Sequence, residues 1–178
     1  PELKRNQKCL AALAAGAWIV SPAFATACQA CGTVVDAEPF ELESARFWRL
    51  KRNETGAGAF NGLSFTIVAR GWDEPPSRDD IAAIIKAGGG SLKTSSSQAD
   101  IVISGKRTST ASSSVHSQLK RGALCVTSMY IVDWLAKPHS NLEEHVLAGS
   151  GQKNEAVTAA ETARGAGQQF EPESSISL

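Results

Sequence analysis

The side chains best suited to bind a metal ion are the cysteines and histidines. Cys28 and Cys31 are separated by two residues, which is the spacing of half a tetrahedral zinc site. Such a site needs two further ligands, but there is no second Cys-x-x-Cys pair, and His116, His139 and His145 lack ligand spacing. We therefore expect no metal ion and no other cofactor. A zinc half-site remains the alternative interpretation of the two cysteines.

The number of cysteines bears on the compartment of the protein. In a chain of 178 residues, four cysteines do not form a disulfide framework. We therefore interpret all four as reduced thiols, buried or partly buried, in a reducing compartment.

Catalytic motifs are missing from the sequence. It contains no nucleophile elbow, phosphate-binding loop or metal-binding helix motif. No histidine has an acid and a nucleophile at a spacing that suggests a catalytic triad, although triad partners can be distant in sequence. The chain is therefore predicted not to be an enzyme.

Two basic residues near the start of the chain have a spacing that suits anion binding. Arg5 and Lys8 are three residues apart, so on a helix they would project from the same face. A lysine ammonium suits a phosphate oxygen, and an arginine guanidinium can donate hydrogen bonds to main-chain carbonyls. The alternative is the solvated face of an amphipathic helix, which is the commoner reason for such a pair.

The overall charge argues against nucleic acid as the main ligand. Lys plus Arg equals Asp plus Glu at 18 each, whereas phosphate backbones are bound through a surplus of cations. One basic cluster, from Arg46 to Arg52, contains Phe47 and Trp48 and could contact nucleic acid through charge and stacking. We favour an amphipathic linker helix for this cluster.

The first thirty residues imitate a secretory signal. A basic start is followed by an apolar run over 9–20 and by small residues before Cys28. The run is rich in alanine and contains Gly16, which makes it weak for membrane insertion, and the chain starts with Pro1. A secreted or lipid-anchored protein that loses residues 1–27 is therefore an alternative, and we expect no membrane partner.

The same motif occurs twice in the chain. Gly16–Ser21 is followed by Phe24, and Gly122–Thr127 is followed by Tyr130 at the matching position. Each copy predicts a glycine that closes a helix, a short apolar strand, and a hydroxyl residue that caps the next helix. Two copies of one supersecondary unit follow from this repeat.

More elements are predicted in front of the second copy. A capping box of Ser77 and Asp80 should start a helix that Gly88–Gly90 end. The remaining predictions are strands over 64–70, 91–94 and 100–104, a loop over 105–114, a helix over 115–121, the strand of the repeated motif, and a last helix to about Ala136. This alternation predicts an α/β fold with a small parallel four-stranded sheet flanked by helices.

The organisation of the chain follows from the repeat. We predict a C-terminal remnant of a first repeat over 1–32, a linker over 33–59, a second repeat over 60–148, and a disordered polar tail over 149–178. If the first copy has the plan of the second, its earlier strands and first helix lie before Pro1. The remnant should then expose apolar surface.

These motifs resemble those of tandem BRCT repeats. The resemblance rests on the Gly-Ala-Trp-Ile-Val-Ser run at 16–21, the segment 38–42, and the glycine break at 88–90 after an apolar helix, and it covers about residues 3–147. The C-terminal pairs of microcephalin and of the breast-cancer susceptibility protein are similar. The last helix of such a repeat usually carries a Trp, where this chain has Phe24 and Tyr130. We expect these two, with Trp18 and Trp134, in the core, and leave Trp48 and Trp72 unassigned.

The resemblance implies recognition of a phosphoserine peptide by a monomeric nuclear scaffold of the DNA-damage response. It assigns phosphate binding to Lys8 and main-chain binding to Arg5, and it assigns the apolar peptide pocket to Leu10, Pro76 and Val132. The other phosphate contacts of the family belong to the missing part of the first repeat, so the chain as given should bind phosphopeptide poorly. The alternative is a docking module of a larger DNA repair or replication enzyme that binds no phosphate.

Overall fold

The structure of the protein is a computed structural model. It describes residues 3–68, 72, 75–105, 113–120 and 124–147, with the side chains of 113 and 114 left aside. The predicted tail over 149–178 and most of the predicted loop over 105–114 lie outside the described residues.

Six α-helices and four β-strands make up the described part of the chain. The helices are α1 (Gln7–Ala15), α2 (Ala23–Cys31), α3 (Glu43–Thr55), α4 (Arg78–Ala87), α5 (Ser113–Leu119) and α6 (Ser128–Ala136). The strands are β1 (Ser64–Ile67), β2 (Ser91–Leu92), β3 (Ile101–Ser104) and β4 (Leu124–Thr127). Short 3-10 turns occupy Glu38–Phe40, Ser96–Gln98 and Glu143–His145.

The four strands form one parallel sheet in the order β2-β1-β3-β4. Phe65 of β1 lies beside Ile101 of β3, which lies beside Leu124 of β4, and all three side chains are buried. β3 is buried at all four positions, as expected for an Ile-Val-Ile strand covered on both faces. The predicted fold class, an α/β fold with a small parallel sheet flanked by helices, is confirmed.

Helix α4 begins and ends at the residues that the sequence indicates. The Asp80 backbone N–H donates to Ser77 Oγ at 3.1 Å, and the Ser77 N–H donates to the Asp80 carboxylate at 3.1 Å. This is the predicted capping box. The helix ends at Ala87, before Gly88.

We expect Ser77→Ala to lower the free energy of unfolding by about 0.5–2 kcal/mol, because it leaves a helix N–H without its acceptor. Chemical denaturation monitored by circular dichroism measures this change. The matched control is Ser44→Ala on the exposed side of α3, where we expect a change within about 0.5 kcal/mol. Equal losses for both variants would mean that the capping box contributes nothing.

Helix α1 belongs to the same core as the sheet. Leu10, Leu13 and Ala14 are buried in one apolar cluster with the sheet and with α3, α4 and α6, and α1 packs chiefly against α4. The apolar run that imitates a signal sequence is therefore part of the folded core. None of the helices in the described ranges is long and apolar enough to cross a membrane.

The linker helix α3 lies against this core. Its Trp48 is buried and donates its indole N–H to the Leu135 carbonyl at 2.9 Å. Trp72 is half-buried, packs against the core cluster, and donates to the Val68 carbonyl at 2.6 Å. Both previously unassigned tryptophans therefore have structural contacts.

The strand that the sequence predicts in the first copy of the repeated motif is not formed. Residues 17–20 do not form a strand of a sheet, and Val20 instead forms a single antiparallel bridge with Glu41. The physical reason is that no strand of the described residues lies beside them in parallel. Ser21 is also not the N-cap, because α2 begins at Ala23 after Pro22 and has no side-chain cap.

Two of the four predicted core aromatics are in the core. Tyr130 and Trp134 are buried with Leu135 on α6. Trp18 is 45% exposed, so its predicted core position is wrong, and Phe24 is only half-buried, against Phe40. No residue of α2 is buried. The expected exposure of apolar surface by this segment is therefore observed.

Candidate functional site

The start of helix α1 is fixed by Asn6. Its side-chain carbonyl accepts the Cys9 backbone N–H at 2.9 Å, and the helix begins at Gln7. Arg5 therefore precedes the helix, whereas Lys8 lies in its first turn. The prediction that both project from one helix face is wrong for Arg5, because the cap ends the helical conformation before it.

Arg5 is tied to the last helix by an ion pair. Its guanidinium lies 3.3 Å from a carboxylate oxygen of Asp133, and its side chain is 48% exposed while that of Asp133 is 6% exposed. Arg5 therefore holds the beginning of α1 against α6, with part of its fork facing solvent. The sequence reasoning missed Asp133, whose spacing to Lys137 on one helix face was the available signal.

Asp133 is the centre of a small charge network. Lys137 Nζ and His145 Nε2 both lie 3.1 Å from its second carboxylate oxygen. Burial opposes the ionisation of Asp133, but hydrogen bonds from His145 and Lys137 and the charges of Lys137 and Arg5 outweigh it and hold its pKa below the ordinary value. The carboxylate is thus a fixed anion between α1 and α6.

The same network contains the described side chains most suited to a metal ion. One ligand atom each of Asp133, Glu144 and His145 lie within 4.8 Å of one another. Asp133 already faces the cations of Arg5 and Lys137, which repel a metal ion. We therefore interpret the cluster as an ion-pair network.

Lys8 lies at an electropositive point of the surface. It is exposed in the first turn of α1, and that turn contains no acidic residue. Backbone N–H groups at a helix N-terminus favour an anion, and a lysine there adds to the positive potential. Lys8 and Arg5 therefore mark a place where an anion can bind.

Two of the three predicted pocket residues lie on helices, Leu10 on α1 and Val132 on α6. Leu10 and Val132 are 1% and 4% exposed in one core cluster, so they could form only the floor of a pocket. Pro76 is half-buried just before α4. Helix α1, which contains Leu10, packs against α6, which contains Val132, and against α4.

The basic cluster of the linker is engaged within the protein. The Glu41 side chain is fully buried and accepts hydrogen bonds from Arg49 at 2.5 and 2.7 Å and from Arg46 at 3.3 Å. The hydrogen bond from Arg49 is the main cause that holds the pKa of Glu41 below its ordinary value. The Arg49 guanidinium also lies 3.8 Å from the centre of the Trp18 ring, and Arg52 donates to the Ala15 carbonyl. These contacts support the amphipathic linker helix.

The four cysteines differ in exposure. Cys125 is buried in the sheet, and burial raises the pKa of its thiol to about 11. Cys9 and Cys28 are half-buried, Cys31 is exposed, and all four are free thiols.

Similarity to known proteins identifies the fold. No protein-family profile matches the chain. A BRCT domain-containing protein of Arabidopsis thaliana is 29% identical over 168 residues, which covers 83% of this chain and 12% of that protein. The solved structure of the BRCT5-BRCT6 domains of Brc1 from S. pombe superposes with a TM-score of 0.58 at 14% identity, covering 85% of this chain and 82% of that one. The chain has the fold of tandem BRCT domains.

A second BRCT pair is more distant. The BRCT3,4 structure of Rad4 from S. pombe has a TM-score of 0.38 at 11% identity, over 72% of this chain and 67% of that one. The resemblance to tandem BRCT repeats that the motifs indicate is confirmed by the Arabidopsis relative and by the Brc1 structure. BRCT domains are in general non-catalytic protein-interaction modules. The chain matches only 12% of the length of its curated relative.

Proposed function

We propose that this BRCT chain binds a partner protein through a phosphorylated serine, as a monomeric nuclear scaffold of the DNA-damage response. The observation that carries the proposal is the position of Lys8 and Arg5 at the start of α1, at the junction with α6. Both side chains are exposed, and the first turn of α1 is free of acidic residues.

The side chains of Lys8 and Arg5 suit different groups of a phosphopeptide. The Lys8 ammonium, in the first turn of a helix, suits a phosphate dianion. Arg5 is held by Asp133 through one nitrogen, and a guanidinium has further N–H groups that can bind main-chain carbonyls of a peptide. The ion pair therefore orients Arg5 and leaves it able to donate.

We expect Lys8→Met to weaken phosphopeptide binding by about 10- to 100-fold, because it removes a charge-assisted hydrogen bond worth about 1.5–3 kcal/mol. The measurement is a titration of the chain, together with its natural upstream sequence, with a phosphoserine-x-x-aromatic peptide library and its unphosphorylated twin. Lys86→Met, at an exposed residue of α4, is the matched control, and this variant should bind the peptide as the unmodified protein does. Equal binding of both libraries would exclude phosphate recognition.

A second function is favoured by the Arg5–Asp133 ion pair. If this pair only stabilises the packing of α1 against α6, the chain is a docking module that binds its partner without a phosphate. Lys8→Met would then leave partner binding unchanged, whereas Asp133→Asn would lower the free energy of unfolding.

A further inference from the structure

A small cavity lies between the end of α3 and the segment 57–61 that precedes β1. Its volume is about 180 Å³, and Trp48, Ala57 and Ala59 form the apolar part of its lining. Pockets for cofactors and drug-sized ligands usually have volumes of about 300–1,000 Å³. The cavity is therefore of the size that a single side chain fills.

The wall formed by the segment 57–61 is fixed to the ends of two helices. The Ala59 N–H donates to the Ala14 carbonyl at 2.8 Å, and the Phe60 N–H donates to the Gly88 carbonyl at 2.9 Å. Gly58 lies so close to the second of these that a Cβ there would be 2.6 Å from the Gly88 carbonyl oxygen. The wall is thus formed before any ligand arrives, and binding does not have to order it.

The polar part of the lining suits a carboxylate. Lys51 is half-buried, and its ammonium lies 5.7 Å from the centre of the Trp48 ring. Among the described residues that line the cavity, none is acidic. Asn61 is exposed, and its side-chain amide has no hydrogen-bond partner within the described part of the chain. A ligand with an aromatic ring beside a carboxylate would place the ring in the cavity and the carboxylate against Lys51 and Asn61.

The C-terminal tail contains a segment of this chemistry. Between 149 and 178 there is one aromatic residue, Phe170, and it is followed by Glu171, Pro172 and Glu173. Two carboxylates therefore lie within three residues of the ring. This segment lies outside the described residues.

We propose that the cavity binds Phe170 of the same chain, with Lys51 paired to Glu171 or Glu173. The reach is sufficient, because 23 residue steps separate Leu147 from Phe170. An extended chain of that length spans about 75 Å, whereas a folded domain of about 145 residues is about 40 Å across. A covalent link of this kind gives an effective concentration of about 1 mM, so contacts of one side chain and one ion pair are enough for occupancy.

The cavity is separate from the site of the proposed phosphopeptide binding. Ala14, which holds the cavity wall, lies near the end of α1, whereas Lys8 lies in its first turn. The two positions are about 9 Å apart along the helix axis. Docking of the tail is therefore an interaction in addition to the proposed function and does not depend on it.

The test is coupling by a carbodiimide, which joins an ammonium to a carboxylate in direct contact without a spacer. The chain of 178 residues is treated, digested and analysed by mass spectrometry for bonds between Lys51 and Glu171 or Glu173. We expect this bond to form, and Lys86, an exposed lysine of α4, is the control that should couple little to the tail. Equal coupling of Lys86 and Lys51 to the two glutamates would overturn the proposal.

Substitutions separate docking of the ring from attraction of charges. Phe170→Ala should lower the yield of the bond about tenfold, because burial of the ring is lost, whereas Ile176→Ala should keep it. Lys51→Glu alone should abolish the bond, and Lys51→Glu combined with Glu171→Lys and Glu173→Lys should restore coupling between the same positions. An unchanged yield with Phe170→Ala, or no restoration in the combined variant, would contradict the proposal.

A mixture of ¹⁵N-labelled and unlabelled protein identifies the chain that supplies the tail. Binding within one chain gives bonds between two labelled or two unlabelled peptides. Bonds that join a labelled peptide to an unlabelled one would show that the tail of a second copy occupies the cavity, which would overturn the proposal. None of these results requires a phosphopeptide.

Discussion

Replacing Glu41 with alanine is expected to lower the free energy of unfolding by about 3–5 kcal/mol, because it leaves the buried guanidinium of Arg49 without its partner. The Glu41 side chain is fully buried and that of Arg49 is 7% exposed. Chemical denaturation measures the loss. The control is Glu43→Ala, whose carboxylate is 87% exposed and 3.6 Å from Arg46, and which should cost less than about 1 kcal/mol. Similar losses in the two variants would show that burial of the pair is unimportant.

The contribution of Glu41 should also depend on pH. Its pKa in the folded protein lies below the ordinary value of 4.5, so the ionised carboxylate stabilises the fold above that pH. As the pH falls through the folded pKa, the folded protein takes up the proton and this contribution is lost. The difference in unfolding free energy between the unmodified protein and Glu41→Ala should therefore be constant near neutrality and decrease below pH 4.5. An unchanged difference down to pH 3 or so would contradict the linkage.

Trp48→Ala is expected to destabilise the protein by about 3–5 kcal/mol, since it leaves a large cavity and an unpaired Leu135 carbonyl. Trp18→Ala is the matched control within the same chain. Trp18 is 45% exposed and contacts the Arg49 guanidinium, so its loss should cost about 1 kcal/mol. Thermal and urea unfolding, followed by far-UV circular dichroism, separate the two variants.

A large loss for Trp18→Ala in the chain of 178 residues would contradict its assignment as a surface residue.

Features that depend on neighbours in sequence could be predicted well. The capping box of Ser77 and Asp80 and the glycines from Gly88 set the bounds of α4, because the groups that satisfy a helix end lie within a few residues. The second copy of the repeated motif became β4 and α6 for the same reason. The parallel sheet followed from the alternation of these elements.

Features that depend on distant partners could not be predicted in this way. The prediction of a strand at 17–20 was wrong because a strand needs a neighbouring strand to pair with, whatever its own residues favour. The site was predicted only in part: Arg5 and Lys8 lie together at the start of α1, but Asp133, which fixes Arg5, is 128 residues away. No spacing within the sequence indicates that Arg5 pairs with Asp133. The role of Glu41 was missed because it precedes α3 and so has no helical spacing to Arg49.

The position of α1 in the core means that this helix and the second copy must stay together when a gene is rearranged. By sequence, α1 belongs to the first copy of the repeat, yet its leucines cover Ile81, Ile84 and Ile85 of the second copy's α4. A gene rearrangement that moved the second copy alone to another protein would leave this isoleucine face open to water. The boundary between the two copies in the sequence is therefore not a boundary of the folding unit. Selection should keep the helix and the second copy together, and recombination that separates them should yield a product that aggregates.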